Sequence, residues 1–243
     1  MRKLFLILLF ATKIFGQYPD ASVILEKIDE NMSADSQIIE STMVIHGRRN
    51  SRSITSKSWT EGANKSFTEY LAPAREKGTK MLKIDDQLWM YSPQSDRTIR
   101  ISGHMLRQSV MGSDLSYEDM MEDRRLTEVY TAEIIGEEMI DEHDCWIMEL
   151  TASVEDIAYN SQKLWVDKEF SIGRKQQLFA KSGKMLKVIE ISELFRVGDR
   201  WYPKRMLFQD VLLKGKGTEF IVESVNFNVN IPNHIFSKAS LRK

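Results

Sequence analysis

The feature that most constrains this chain is a procession of short segments rich in β-branched, aromatic and alternating apolar residues, separated by polar turns, from Gln37 to Asn230. SITSKSWTEG and NKSFTEYLAP flank Glu61-Gly62-Ala63-Asn64, and TKMLKI, QLWMYS and RTIRIS follow with turns at Asp85-Asp86 and Pro93-Gln94-Ser95-Asp96. HDCWIMELTA, QKLWVDKE, RKQQLFAKS, KMLKVIEISELF, RWYPKRMLFQDV and GTEFIVESVNFNVN continue the series. Their turns fall at Asp167 to Phe170, Lys181-Ser182-Gly183-Lys184, Val197-Gly198-Asp199-Arg200 and Lys214-Gly215-Lys216-Gly217. Strands joined by such short turns run antiparallel, because a parallel neighbour needs a long crossover, usually a helix, and no helical pattern separates these segments. The expected class is mainly β (α+β), built on a single antiparallel sheet.

Two stretches depart from the rhythm. DASVILEKIDENM, residues 20–32, has Val23, Ile24, Ile28 and Met32 on one helical face, and Asp20 or Ser22 can accept bonds from the free backbone N–H groups of the first turn. MGSDLSYEDMMEDRR, within His104 to Arg125, reads as one short helix with Ser113 or Asp114 as its cap. No linker or compositional break divides residues 17–243, which makes one domain the expectation. A single sheet of about ten strands tends to curl. Two helices offer too little surface to cover its whole concave side, so part of that side is expected to line a cavity; a two-layer β-sandwich would show the same alternation.

Period-two patterning identifies the faces. Trp146, Met148 and Leu150 alternate with Cys145, Ile147 and Glu149, and Tyr202, Met206 and Phe208 share a face with Lys204. Leu88 and Met90 alternate with Trp89 and Tyr91, which makes that strand apolar on both sides. The 13 methionines, many of them mid-chain, suit either irregular core filling or contact with flexible apolar ligands. Candidate lining residues on the strands are Trp59, Phe67, Leu82, Leu88, Met90, Trp146, Met148, Leu164, Tyr202, Met206 and Phe208. The central stretch adds Met111, Leu115 and Met120.

Met1 to Gln17 combines Arg2 and Lys3, an apolar run from Leu4 to Ala11 and a small Gly16, the pattern of a secretory signal peptide over residues 1–16; a short interfacial anchor or buried helix is the rival reading. Cleavage would remove Arg2, Lys3 and Lys13 and no acid, moving the formal charge from −1 to −4. That balance argues against a nucleic-acid partner. Cys145 is the single cysteine, which leaves no partner for an internal disulfide in an oxidising compartment. His46, His104, His143 and His234 are scattered, and no motif assembles a metal site, a phosphate-binding loop or a nucleophile elbow. A secreted hydrolase would have to use Ser102 or Ser113 with His104. No cofactor is expected.

The ordered set resembles the LolA-like outer-membrane lipoprotein-sorting proteins, in the branch found beside RND-type exporters. The likeness is carried by Leu71 to Ser102 and Met111 to Met120, above all Pro73 with Lys77-Gly78-Thr79, Leu88-Trp89-Met90-Tyr91-Ser92-Pro93 and Met111-Gly112-Ser113-Asp114. The resemblance implies an incomplete β-barrel whose concave apolar face is covered by helices. It also implies a non-enzymatic periplasmic carrier or chaperone for the acyl chains of lipoproteins or other lipids, with an inner-membrane donor or exporter and an outer-membrane acceptor as partners. In that family a basic residue on an early strand holds the lid; Arg48, Arg49 and Arg52 are the nearby basic residues, none of them assigned. The alternative is a non-enzymatic docking module of an RND-type exporter that uses the barrel as scaffold.

Overall fold

The computed structural model describes residues 18–47 and 49–243; the segment expected to be a signal peptide (1–16) and Arg48 lie outside the described residues. The chain opens with helix α1 (Ala21–Met32), followed by strands β1 (Ser36–His46), β2 (Ser51–Glu61) and β3 (Lys65–Ala72). Next come β4 (Lys80–Ile84), β5 (Gln87–Ser92) and β6 (Arg97–Ile101). A one-turn helix α2 (Leu126–Val129) precedes β7 (Tyr130–Ile140), β8 (His143–Ala152) and β9 (Ser161–Asp167). The remaining strands are β10 (Gly173–Phe179), β11 (Met185–Val197), β12 (Arg200–Asp210) and β13 (Thr218–Phe227).

All of them form one 13-stranded antiparallel sheet in the order β6-β5-β4-β3-β2-β1-β13-β12-β11-β10-β9-β8-β7. Two meanders are therefore fused where β1 pairs with β13, from Gln37 opposite Phe227 to Ile45 opposite Thr218. The sheet does not close, and β6 and β7 are its edges. Bulges at Glu40/Ser41, Thr55/Ser56, Ile134/Gly136 and Gly173/Lys175 add local twist and bend the sheet. Gly173 suits its bulge because a Cβ there would lie 2.9 Å from Leu164 Cδ1.

On the concave face α1 packs through Ala21, Ile24, Leu25 and Ile28 against Met148, Leu150, Leu164 and Val166. This face follows the i, i+3, i+4, i+7 spacing, which puts Val23 outside it; Val23 is 47% exposed. Asp20 caps the helix, accepting from Ser22 N at 2.9 Å. Asp29, one turn before the C-terminus, is buried and accepts from Leu126 N (2.9 Å), Thr127 N (3.0 Å) and Thr127 Oγ1 (2.7 Å), so the first helix caps the second.

The stretch expected to be one helix, His104 to Arg125, is a strap of 3-10 turns at Gly103–Arg107, Val110–Gly112 and Asp119–Met121. Ser109 and Ser116 pair as an antiparallel bridge, and Met111 and Gly112 adopt φ of 51° and 69°, which an α-helix does not accommodate. The expected cap residues are used otherwise. Ser113 Oγ donates to Val110 O at 2.7 Å, and Asp114 binds β13. Strand β7 also went unseen in the sequence, because Glu133, Glu137 and Glu138 give it a charged texture; such charges suit an edge strand.

The convex face under β3–β5 carries a second layer. Phe67, Leu82 and Trp89 pack beneath Ile231, Phe236 and Leu241 of the C-terminal segment, with Trp59 at the border. Lys238 sits 4.2 Å from the Trp89 ring centroid. Leu82→Ala, at a fully buried site, is expected to cost about 2–5 kcal/mol, read as a lower urea midpoint at unchanged slope. Leu212→Ala, on an exposed turn, should stay within about 0.5 kcal/mol of the wild type.

Candidate functional site

The curled sheet, α1 and the strap leave two hollows. The first, of about 610 Å³, lies between the C-terminal half of α1 and the concave face of β9 to β12. Its apolar wall is made by Ile28 and Met32 of α1 with Leu164, Ile189, Ile191 and Met206. Tyr202 and Phe208 complete it. Its mouth is polar, with Asp35, Asp123, Arg124, Arg125 and Glu128 around it. Gln37 also lines this hollow, and its buried Oε1 has no hydrogen-bond donor among the described residues. Burial pushes the Tyr202 phenol up to about 12, so the wall carries no charge there at neutral pH.

The second hollow, of about 660 Å³, is more polar and lies toward the other end of the barrel, lined among others by Arg107, Glu118, Tyr159, Lys181, Lys187 and Asp210. The two are neighbours. Two residues along β11, from Ile189 to Lys187, or along β12, from Phe208 to Asp210, lead from the wall of the first to that of the second.

The strap crosses the interior and is fixed there by charged groups. Lys187 Nζ donates to Asp119 Oδ2, which also accepts from Ser116 N at 2.6 Å and Ser116 Oγ at 2.8 Å. Tyr159 donates to Asp119 Oδ1, and burial followed by the Asp119 charge raises its phenol well above the usual range, keeping it a neutral donor. Asp114 accepts from Thr218 Oγ1 at 2.7 Å and from Asp210 N at 3.0 Å. Lys83 Nζ, on the concave face of β4, reaches Ala63 O and Met121 O at 2.6 Å each and Asp123 Oδ2 at 2.7 Å. Arg52 of β2 donates to Met111 O, so Arg52, one of the early basic residues left unassigned by the sequence, touches the strap.

The predicted lining residues divide into four groups. Leu164, Tyr202, Met206 and Phe208 line the first hollow. Trp146 and Met148 lie on the concave face with α1 over that face, and Met148 is fully buried core. Leu88, Met90, Met111, Leu115 and Met120 pack with one another and with Tyr117 between the strap and β5. Trp59, Phe67 and Leu82 are the correction: they share the convex face with the C-terminal segment and do not border the hollow. The register explains this, since Trp59 pairs with Phe67 and Phe67 with Leu82, one residue out of phase with Ser58, Thr68 and Met81. Ile189, Ile191, Lys83 and Lys187 were missed. A lysine in the inward phase of an apolar strand, as in MLKI, was the available signal for the last two.

Ser113, considered as a nucleophile, is fully buried and braces a turn. No cluster of three or more His, Cys, Asp or Glu side chains that could hold a metal ion occurs among the described residues. His143 is taken up by Asp167 (3.0 Å) and Arg174 (3.2 Å), and burial lifts the Cys145 thiol to about 11.

Burial raises the Asp123 carboxyl above its ordinary 3.8, against the opposing pull of the Lys83 ammonium. A carboxyl whose folded pKa exceeds its unfolded one binds its proton more tightly in the native state. Its contribution to stability is thus full below the unfolded value and is lost as pH rises through the folded value. Urea midpoints of wild type and Asp123→Asn, measured from acid to neutral pH, should show the wild type losing ground against the variant as pH rises.

A protein-family model described as an uncharacterized protein matches residues 62–243. No curated protein shows significant similarity to the chain. Among solved structures, a DUF1329 family protein from Desulfovibrio piger superposes with a TM-score of 0.81 at 23% identity, over 90% of this chain and 97% of that one. A structure described as an outer membrane lipoprotein-sorting protein domain, from Vibrio parahaemolyticus, gives 0.78 at 21% identity, over 91% and 98%. A LolA superfamily protein from Nitrosomonas europaea gives 0.76 at 23% identity, over 92% and 100%. The chain thus belongs to the family whose model spans residues 62–243 and has the open-barrel fold of the LolA superfamily.

Proposed function

We propose that the protein is a lipid carrier that shelters an acyl chain, of a lipoprotein or another lipid, in the first hollow, and works in the periplasm between a donor and an acceptor membrane. The observation that carries this reading is the hollow of about 610 Å³, walled by apolar side chains of three strands, β9, β11 and β12, and of α1, inside a sheet that does not close. Its size falls within the range of small-ligand sites, about 300–1,000 Å³. The fold shared with a lipoprotein-sorting protein domain supports the same reading.

The energetics suit a carrier. Each buried methylene is worth about 0.8 kcal/mol, so about ten give about 8 kcal/mol before ordering costs, a micromolar-scale affinity. Binding of that strength retains a chain in water and yields it to a partner offering an equally dry site. No covalent step is needed. The polar mouth leaves the head group in solvent, and Gln37 Oε1 offers an acceptor to a donor on the ligand. Loading and release need movement of α1 with α2 and the strap, which the Asp29 cap and the Lys83 contacts restrain.

Filling the hollow tests this. Ile189→Trp with Met206→Trp is expected to lower the lipid that co-purifies from bacterial envelopes at least tenfold by native mass spectrometry, with the circular dichroism of the wild type. Equal lipid content in the folded variant would sink the reading. Lipid-free wild type recovered with a membrane exporter would favour the docking-module alternative.

A further inference from the structure

The strand directions sort the turns onto two rims with uneven charge: four turns of one rim are acidic, while the other rim holds a basic arc and, outside that arc, the exposed Asp96 of the β5–β6 turn and Glu155 and Asp156 of the β8–β9 turn. The β4–β5, β7–β8, β9–β10 and β11–β12 turns share one rim and expose Asp85, Asp86, Asp141, Glu142, Glu169 and Asp199. On the opposite rim three turns that are neighbours in the sheet, β1–β2, β12–β13 and β10–β11, form a continuous arc. They expose Arg49, Lys214, Lys216, Lys181 and Lys184, and residues 47–50, 180–184 and 211–217 contain no acid. The turns are tied together: Val211 N donates to Leu186 O at 2.9 Å, and His46 N to Gly217 O at 3.1 Å.

At the middle of this arc stand three consecutive apolar side chains. Val211, Leu212 and Leu213 are 42%, 57% and 46% exposed. Nothing in the packing of β12 or β13 requires them: the three are absent from the four core clusters, and the backbone there is held by Leu212 N donating to Asp210 Oδ1 at 2.8 Å and Leu213 N to Asp210 O at 3.0 Å. Leu212 and Lys181 also border the second hollow, which opens beside the tip.

We propose that this arc docks onto the surface of an anionic phospholipid bilayer, with Val211, Leu212 and Leu213 entering the head-group boundary and the surrounding lysines and Arg49 pairing with phosphates. The charge arrangement of the arc suits that surface, because its cations within a Debye length of anionic lipid are attracted while the four acidic turns of the opposite rim are turned away. The shape suits it too. A protein partner needs about 800 Å² on each side, more than a three-residue turn tip supplies, whereas a bilayer accepts a small apolar wedge and lets lysine stems reach outward from it. The use of the docked state for lipid exchange rests on the carrier reading; the docking itself does not.

Co-sedimentation of the full chain with vesicles tests the proposal. Wild type is expected to partition at least tenfold better onto phosphatidylethanolamine vesicles containing phosphatidylglycerol than onto pure phosphatidylcholine, and to leave them as salt is raised. Lys214→Glu with Lys216→Glu should weaken anionic binding about fivefold or more per lysine. Leu212→Asp with Leu213→Asp should weaken it about tenfold or more, with the circular dichroism of the wild type. A fluorophore on Leu213→Cys should shift to the blue on anionic vesicles; Cys145 is buried and escapes the label. Wild-type partitioning by both double variants, equal binding to the two vesicle types, or an unshifted label would overturn the proposal. Failure of the wild type to bind any vesicle would overturn it as well and leave the arc to an acidic protein. Acyl-chain uptake measured on the same variants in the absence of vesicles should equal that of wild type, so loss of docking is read apart from loss of carriage.

Discussion

An antiparallel sheet that curls without closing must cover its concave face with its own chain, and the rest of this structure follows from that constraint. Between the unpaired edges β6 and β7 the chain has to cross from one side of the barrel to the other, and residues 102–129 do so through the interior. A segment in that place brings backbone polar groups and carboxylates out of water, where each needs a partner. Lys83, Lys187, Thr218 and Arg52 supply those partners from the sheet. Breaking one side of such a buried pair typically costs about 3–5 kcal/mol, since the other charge is stranded. The fastening is strong because it is polar and enclosed.

The same arrangement explains why the interior keeps a hollow. Apolar side chains from β9 to β12 point inward, but α1 covers them only from one side and the strap is held toward the other by its ion pairs. Small and polar residues on the concave face of β1 to β3 add little bulk: Ser41 bonds to Ser56 at 3.1 Å and Ser58 to Thr68 at 2.9 Å, satisfying one another instead of reaching across. The space left is therefore set by which element each side chain is bound to. Two hollows of different polarity result, one on each side of the Asp119 cluster.

Much of the sheet was legible because strand and turn patterns are local. The eleven segments quoted between Ser53 and Asn230 are strands β2–β6 and β8–β13, and the C-terminal segment on the outer face explains the two-sided apolar pattern of Leu88 to Tyr91. Period two says that two faces exist and is silent on which one is inward. This is why Trp59, Phe67 and Leu82 were grouped with Leu164 and Met206 although they lie on opposite sides. The strap was misread for a related reason. Its composition favours a helix, but its conformation is decided by partners more than thirty residues away, Lys83, Thr218 and Lys187 among them. Lysines that serve as anchors look, in a sequence, like solvent-facing ones.

The pairing of β1 with β13 carries a consequence for biogenesis. The first strand finds its second neighbour only when β13 has been synthesised, so the two meanders stay unjoined until then. Sequence-distant pairing of this kind slows folding. A polypeptide that stays open until β13 arrives leaves one edge of β1 unpaired for longer, and such an edge is a template for wrong pairing.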